Sequence, residues 1–262
     1  MKETAMSDTE NSIHDFDFSL ICEYFSALER QGPGSPEATI QALGFIGPLS
    51  AASRIADIGC GTGGQTRVLA RHTPGQITGI DLFPAFIDLF NAHARQAGLE
   101  HRVTGTVASM DALPFDEASL DLIWSEGAIY NIGFRRGLAY WRTFLKPGGT
   151  LAVTEASWFT PQRPAEIERF WTDAYPEIDT IPAKMAQLQE AGFSPVAAFV
   201  LPETCWTDHF YVPQRAAQQR FLAKHAGNKT AEDLVANQRH EAELYDTYKS
   251  FYGYAFYIGK KI

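Results

Sequence analysis

Apolar residues recur at three- and four-residue spacings from Ile13 to Leu28 (Ile13, Phe16, Leu20, Ile21, Tyr24, Phe25, Leu28), which predicts a leading helix with one buried face. The pattern stops at Gln31-Gly-Pro-Gly-Ser-Pro36, where proline and glycine forbid helix continuation. Ser35 can cap a second helix that begins at Pro36 and is expected to run through Leu49. From there the period changes repeatedly. Arg54–Ile58 is a short strand-like run that ends in the glycine turn Gly59–Gly64, with a helical pattern following through Val68, Leu69 and His72. Gln76–Ile80 is a second strand ending at Asp81, and Phe86–Ala97 a helix closed by Gly98. Further strands are expected at Val103–Val107, Leu120–Trp124 and Thr150–Thr154. Beyond Glu155, helices are expected over Pro164–Tyr175 and Ala183–Ala191, a sixth strand over Pro195–Leu201, a helical stretch over Gln214–Tyr248, and a terminal strand over Tyr252–Gly259. Repeated strand-then-helix units imply a parallel sheet covered on both faces, because parallel strands require a crossover.

Composition narrows the class. At 262 residues and 45% hydrophobic, the chain can bury one sizeable core, so one main domain is expected. A formal charge of −9 and no basic run longer than Lys260-Lys261 argue against nucleic acid as a partner. Cys22, Cys60 and Cys205 are widely separated and lack zinc-site spacing, so no metal site is expected and a reducing cytoplasm fits. Met1–Asn11 is polar and acidic, without the apolar core of a signal peptide, and no apolar run is long enough to span a membrane.

The glycine turn carries the first chemical signal. Gly59, Gly61 and Gly64 formally satisfy G-x-G-x-x-G, a weak match that a plain tight turn also explains. Asp81 lies about twenty residues further on, at the end of the second strand, where a carboxylate can hold two ribose hydroxyls. Both features suit a dinucleotide enzyme equally well.

Other segments separate the possibilities. Asp57-Ile-Gly-Cys-Gly-Thr-Gly63, Ser109-Met-Asp-Ala-Leu-Pro-Phe115 with Ser119-Leu-Asp-Leu-Ile123, and Leu145-Lys-Pro-Gly-Gly149 occur in that order, and together they resemble the class I S-adenosylmethionine-dependent methyltransferases. The resemblance covers Ile55 to Glu155. It implies an α/β, Rossmann-like, doubly wound sheet of seven mostly parallel strands with helical cap insertions. The expected organisation is a flexible tail at 1–11, N-terminal helices or a lid at 12–49, and a methyltransferase domain at 50–262 with cap helices near 160–190 and 207–250. It also implies S-adenosyl-L-methionine as cofactor. Gly59 and Gly61 would then border its methionine part, Asp57 its amino group, Asp81 its ribose, Asp111 the adenine amino group and Met110 the adenine ring. Cys60, Gly63, Leu82 and Ser125 complete the expected cofactor contacts.

Methyl transfer from a sulfonium needs alignment, exclusion of water and, for an amine or hydroxyl, a base. The segment after the fourth strand, Ser125-Glu-Gly-Ala-Ile-Tyr-Asn131, supplies the catalytic candidates Glu126 and Tyr130. Glu126 can be read as a base, as an anchor for a cationic substrate or as a partner of the cofactor's ammonium group. Topology brings Glu155, Trp158, Trp206, His209 and Tyr211 towards the same edge as substrate-binding candidates, although the aromatics can equally fill a core. The Asn/Asp-Pro-Pro-aromatic motif of nucleic-acid amino methyltransferases is absent after that strand. The expected reaction is therefore methylation of a nucleophilic nitrogen or oxygen on a small molecule, with a homodimer left open. An NAD(P)-dependent oxidoreductase and a non-catalytic cofactor-binding protein are the competing readings.

Overall fold

In the computed structural model, which describes residues 18–262, five parallel strands form one side of a single sheet: β1 (Arg54–Ile58), β2 (Gln76–Asp81), β3 (Val103–Val107), β4 (Leu120–Ser125) and β5 (Leu145–Trp158). The expected tail at 1–11, and Ile13 and Phe16 of the leading helix, lie outside the described residues. The sheet order is β3-β2-β1-β4-β5-β8-β7, where β8 (Tyr252–Lys261) runs antiparallel to both β5 and β7 (Phe193–Val200). This is the expected seven-stranded, mostly parallel sheet. A two-residue strand, β6 (Asp179–Thr180), adds to it by pairing with the end of β5.

Side chains alternate across the strands, so each strand feeds two cores. Ile55, Ile77, Leu122, Trp124 and Ala152 face one side, where α2 (Pro36–Leu43) and α4 (Pro84–Gln96) contribute Ala38, Ala42, Ile87 and Phe90. Ala56, Ile58, Ile123, Leu151 and Val153 face the other, against Leu138 and Trp141 of α5 (Phe134–Phe144) and Leu188 of α7 (Ile181–Glu190). Helices α1 (Ser19–Ser26) and α3 (Gly64–His72) flank the amino-terminal half. The cap holds α6 (Ala165–Ala174), α8 (Thr204–Trp206), a π turn (Thr207–Tyr211), α9 (Val212–Lys224) and α10 (Lys229–Tyr248).

Two helical stretches depart from expectation. Helix α2 ends at Leu43, because Gly44 caps it and the chain turns off before Leu49. Its start is as expected, with the Ser35 side chain accepting from Ala38 N at 3.1 Å. The stretch 214–248 is two helices, since Gly227 takes a φ of +79° and Asn228 caps α10 by accepting from Ala231 N. Strand order reverses between β1 and β4, and in open α/β sheets the carboxyl ends at that point form a crevice.

Candidate active site

The turn after β1 sits in that crevice. Gly59 N and Cys60 N both donate to Ile80 O, at 2.8 and 3.0 Å, which locks the turn to the end of β2. Gly59 has a φ of +72°, and a Cβ there would stand 2.3 Å from the Ala128 side chain, so the position needs glycine on both counts. Gly61 N donates to Asp81 Oδ2 at 2.9 Å, and Phe83 N to Asp81 Oδ1 at 3.1 Å. Each oxygen of Asp81 thus keeps acceptor capacity for a ligand. Burial raises the Asp81 carboxyl pKa, opposed by the backbone donors of Phe83, Gly61 and Leu82.

Around this turn opens a cavity of about 740 Å³ whose lining includes Gly59, Asp81, Met110, Asp111, Glu126 and Tyr130. Cys60, Gly61 and Leu82 also border it. The Met110 methyl lies near the Gly59 face of the turn, and Trp141 Nε1 pins the Met110 carbonyl at 2.8 Å. Asp111 accepts from Ser109 Oγ at 2.5 Å, and that hydrogen bond holds its carboxyl below the usual range. Aromatic side chains of Phe25, Phe83 and Phe86 form an apolar edge.

Of two further carboxylates, one lies behind the cavity wall and one lines it. Asp57 is wholly buried and does not line the cavity. It accepts from Thr66 Oγ1 and, at 3.3 Å, from Gln65 Nε2, and of these Gln65 reaches the cavity wall. Desolvation pushes its pKa up to about 7, against the lowering effect of Thr66. Glu126 lines the cavity with both oxygens occupied. Oε2 accepts from Arg30 Nη1 at 2.7 Å, and Oε1 from Thr39 Oγ1 at 2.7 Å and Trp124 Nε1 at 2.9 Å. Three donors occupy its two oxygens, which restricts its use as a proton acceptor.

Residues 55–149 match the model of a methyltransferase domain. Over this stretch the chain is similar to methyltransferases. A dimethylglycine N-methyltransferase from Parasynechococcus marenigrum is 35% identical over 121 residues, covering 45% of this chain and 43% of that protein. A glycine/sarcosine/dimethylglycine N-methyltransferase from Actinopolyspora halophila is 31% identical over 45% of this chain and 21% of its own length. The chain thus spans less than half of either curated relative. Among solved structures, an S-adenosylmethionine-dependent methyltransferase from Thiobacillus denitrificans in complex with S-adenosyl-L-homocysteine superposes with a TM-score of 0.81 at 20% identity, covering 93% of this chain and 98% of that one. The equivalent complex from Geobacter sulfurreducens gives 0.79 at 19% identity with the same coverage.

The methyltransferase cofactor fits what lines the cavity: glycine backbone where a Cβ would collide, a carboxylate with spare acceptor capacity, and a thioether beside the turn. Other expected site residues fall elsewhere. Gly63 packs against Phe90, and Ser125 is buried with no partner for its hydroxyl. Glu155 is fully enclosed, paired with Lys184 Nζ at 2.8 Å and accepting from Tyr175. Trp158 stacks under Arg163, with 4.2 Å from the guanidinium carbon to the ring centroid. Trp206 and Tyr211 sit in the cap's aromatic core, and His209 lies half-exposed at 3.9 Å from Glu37. None of these five lines the cavity. Arg30 and Gln31 do, as the segment between α1 and α2 crosses the glycine turn. Among the described residues no helix is long and apolar enough to cross a membrane.

Proposed function

We propose that the protein is an S-adenosylmethionine-dependent methyltransferase acting on a nucleophilic nitrogen or oxygen of a small molecule. The observation that carries the reading is the convergence of the Gly59–Gly61 turn, Asp81, Met110 and Tyr130 on one cavity at the strand-order reversal. When bound, the cofactor supplies an electrophilic methyl on sulfur. The chain's own part is positioning. Asp81 holds the ribose hydroxyls, Gly59 and Gly61 let the methionine portion approach the backbone, and Met110 and Asp111 bracket the adenine. Tyr130 stands at the acceptor end, on the 3₁₀ turn Ile129–Ile132. Glu126 ties the segment around Arg30 down over the site, which excludes water, and so acts as a positioning residue. The names of the two N-methyltransferase relatives, each aligned with 45% of this chain, support a nitrogen acceptor.

Calorimetry with S-adenosyl-L-homocysteine and with NAD tests the assignment directly. Micromolar binding of the thioether and none of NAD is expected, and the reverse would overturn it. Incubation with methyl-labelled cofactor and a metabolite extract then identifies the compound that gains the label.

A further inference from the structure

Beyond Gly127 and Tyr130 of the cavity lining, a carboxylate with no cation of its own lies among phenol groups. Tyr130 keeps 41% of its surface accessible, yet protein encloses it closely enough that desolvation raises its pKa. Glu241, on α10, is likewise partly accessible while burial raises its carboxyl pKa. Tyr130 and Gly127 line the cavity, and Glu241 keeps accessible surface on the cap helix.

Several contacts connect these groups. Tyr254 of β8 closes against Gly127, where a Cβ would lie 3.3 Å from the ring. Trp206 packs on Tyr254 and Tyr211 with ring centroids 4.9 and 6.1 Å apart. The Tyr211 hydroxyl donates to Glu241 Oε1 at 3.1 Å. Tyr130, Tyr252 and Tyr254 all lie within electrostatic reach of the Glu241 charge. The indole N–H of the buried Trp206 has no partner.

The contrast with the neighbouring carboxylates decides the chemistry. Glu126 has Arg30 and Glu155 has Lys184. Among the described residues no Lys, Arg or His pairs with Glu241, and its chain neighbours Arg239 and His240 engage Gln218 and Phe170 instead. A desolvated carboxylate among π faces lacks a positive partner, and an organic cation satisfies both requirements at once. We infer that Tyr130, Tyr254 and Glu241, the last held in place by the Tyr211 hydroxyl, form the acceptor subsite and that it takes an amine or alkylammonium compound. A carboxylate there also accepts the proton that an ammonium must shed before its nitrogen has a lone pair to donate. The placement beside the methyl donor rests on the methyltransferase reading, whereas the recognition of a cation does not.

The test uses choline and its uncharged carbon isostere 3,3-dimethylbutan-1-ol, each titrated calorimetrically into the full chain with and without saturating S-adenosyl-L-homocysteine. Choline is expected to bind at least about tenfold more tightly than the alcohol, as charge recognition over aromatic faces predicts. Glu241→Gln, which keeps an acceptor for Tyr211, should abolish that preference and leave the alcohol's affinity in place. Tyr211→Phe, which keeps the carboxylate, should retain it. Equal binding of the two probes by the wild-type protein, or binding of neither, overturns the inference without recourse to any variant. So does an undiminished choline preference in Glu241→Gln. Discrimination between the probes with no binding of the thioether sinks the methyltransferase reading and leaves the cation subsite standing, and thioether binding without discrimination does the opposite.

Discussion

Arg30 Nη1 lies 2.7 Å from Glu126 Oε2, with the two side chains 7% and 4% exposed. The pair spans 96 residues and fastens the segment between α1 and α2 to the end of β4. Gly34 permits it, since a Cβ there would stand 2.8 Å from Arg30 and 2.9 Å from Glu126. Removing one member strands the other charge in a desolvated site, which typically costs about 3–5 kcal/mol. Arg30→Met and Glu126→Gln should each lose stability on that scale in denaturant unfolding and weaken binding of S-adenosyl-L-homocysteine. The double variant should lose clearly less than the sum. Additive losses would mean that the pair carries no coupling and that Glu126 acts independently of the segment it holds.

Asp81 anchors the turn and also lines the cavity. Its Oδ2 accepts from Gly61 N, and its remaining acceptor capacity faces the cavity. Two hydrogen bonds from ribose hydroxyls to a charged acceptor are worth about 1.5–3 kcal/mol each. Asp81→Ala should therefore weaken binding of S-adenosyl-L-homocysteine by about 10² to 10⁴-fold in calorimetry, while the far-ultraviolet circular dichroism spectrum stays native. Unchanged affinity would remove the ribose role.

The parts of the site legible in the sequence are those encoded at short range. The turn from Asp57 to Gly63 and the acid at Asp81 sit at strand ends, where spacing along the chain maps directly onto the sheet edge. The Ser35 cap is equally local. Pairings between distant segments left no such trace. The sequence leaves Glu126 open as a base, a cation anchor or a partner of the cofactor's ammonium group, because its partners Arg30 and Thr39 lie 96 and 87 residues upstream. Glu155 ends up beside Lys184, on a helix whose packing no spacing rule reports. Trp206 and Tyr211 were as consistent with core as with cavity, since an aromatic side chain in a cap does either, and here the fold buries them. Glu241 was invisible for a related reason, as α10 shows a polar sequence whose buried stripe depends on what the cap lays against it.

Asp57 makes stability depend on pH in a defined direction. Desolvation raises its pKa from 3.8 to about 7 in the folded chain, so between those values the native state holds a proton that the unfolded chain releases. Stability contributed by this group is present below the lower value and is lost as pH rises through the window, by up to about 1.4 kcal/mol per pH unit. Asp57→Asn carries no ionisation to desolvate. The melting temperature of that variant relative to wild type should climb from pH 5 to pH 7 and level off above pH 8. Parallel profiles would place the ionisation elsewhere.

Gly61 carries a φ of +52°, and a Cβ there would stand 2.0 Å from Gln31 Oε1. Gln31 is not free to withdraw. Its Nε2 is shared among Phe25 O, Leu28 O and Thr62 Oγ1 at 3.2, 3.0 and 3.1 Å, while Oε1 accepts from Thr62 N at 3.0 Å. Gly61→Ala should expel the carboxamide, leave the Thr62 N–H unsatisfied at a cost of about 1–3 kcal/mol, and loosen the segment above the cofactor cavity. In a Gln31→Ala background the obstruction is already gone, so the same substitution should cost only the left-handed backbone strain, of order 1 kcal/mol. Unfolding free energies and affinities for S-adenosyl-L-homocysteine across the four proteins separate the two contributions. If Gly61→Ala costs as much without Gln31 as with it, the strain lies in the backbone, and the amino-terminal segment does not bear on the turn at all.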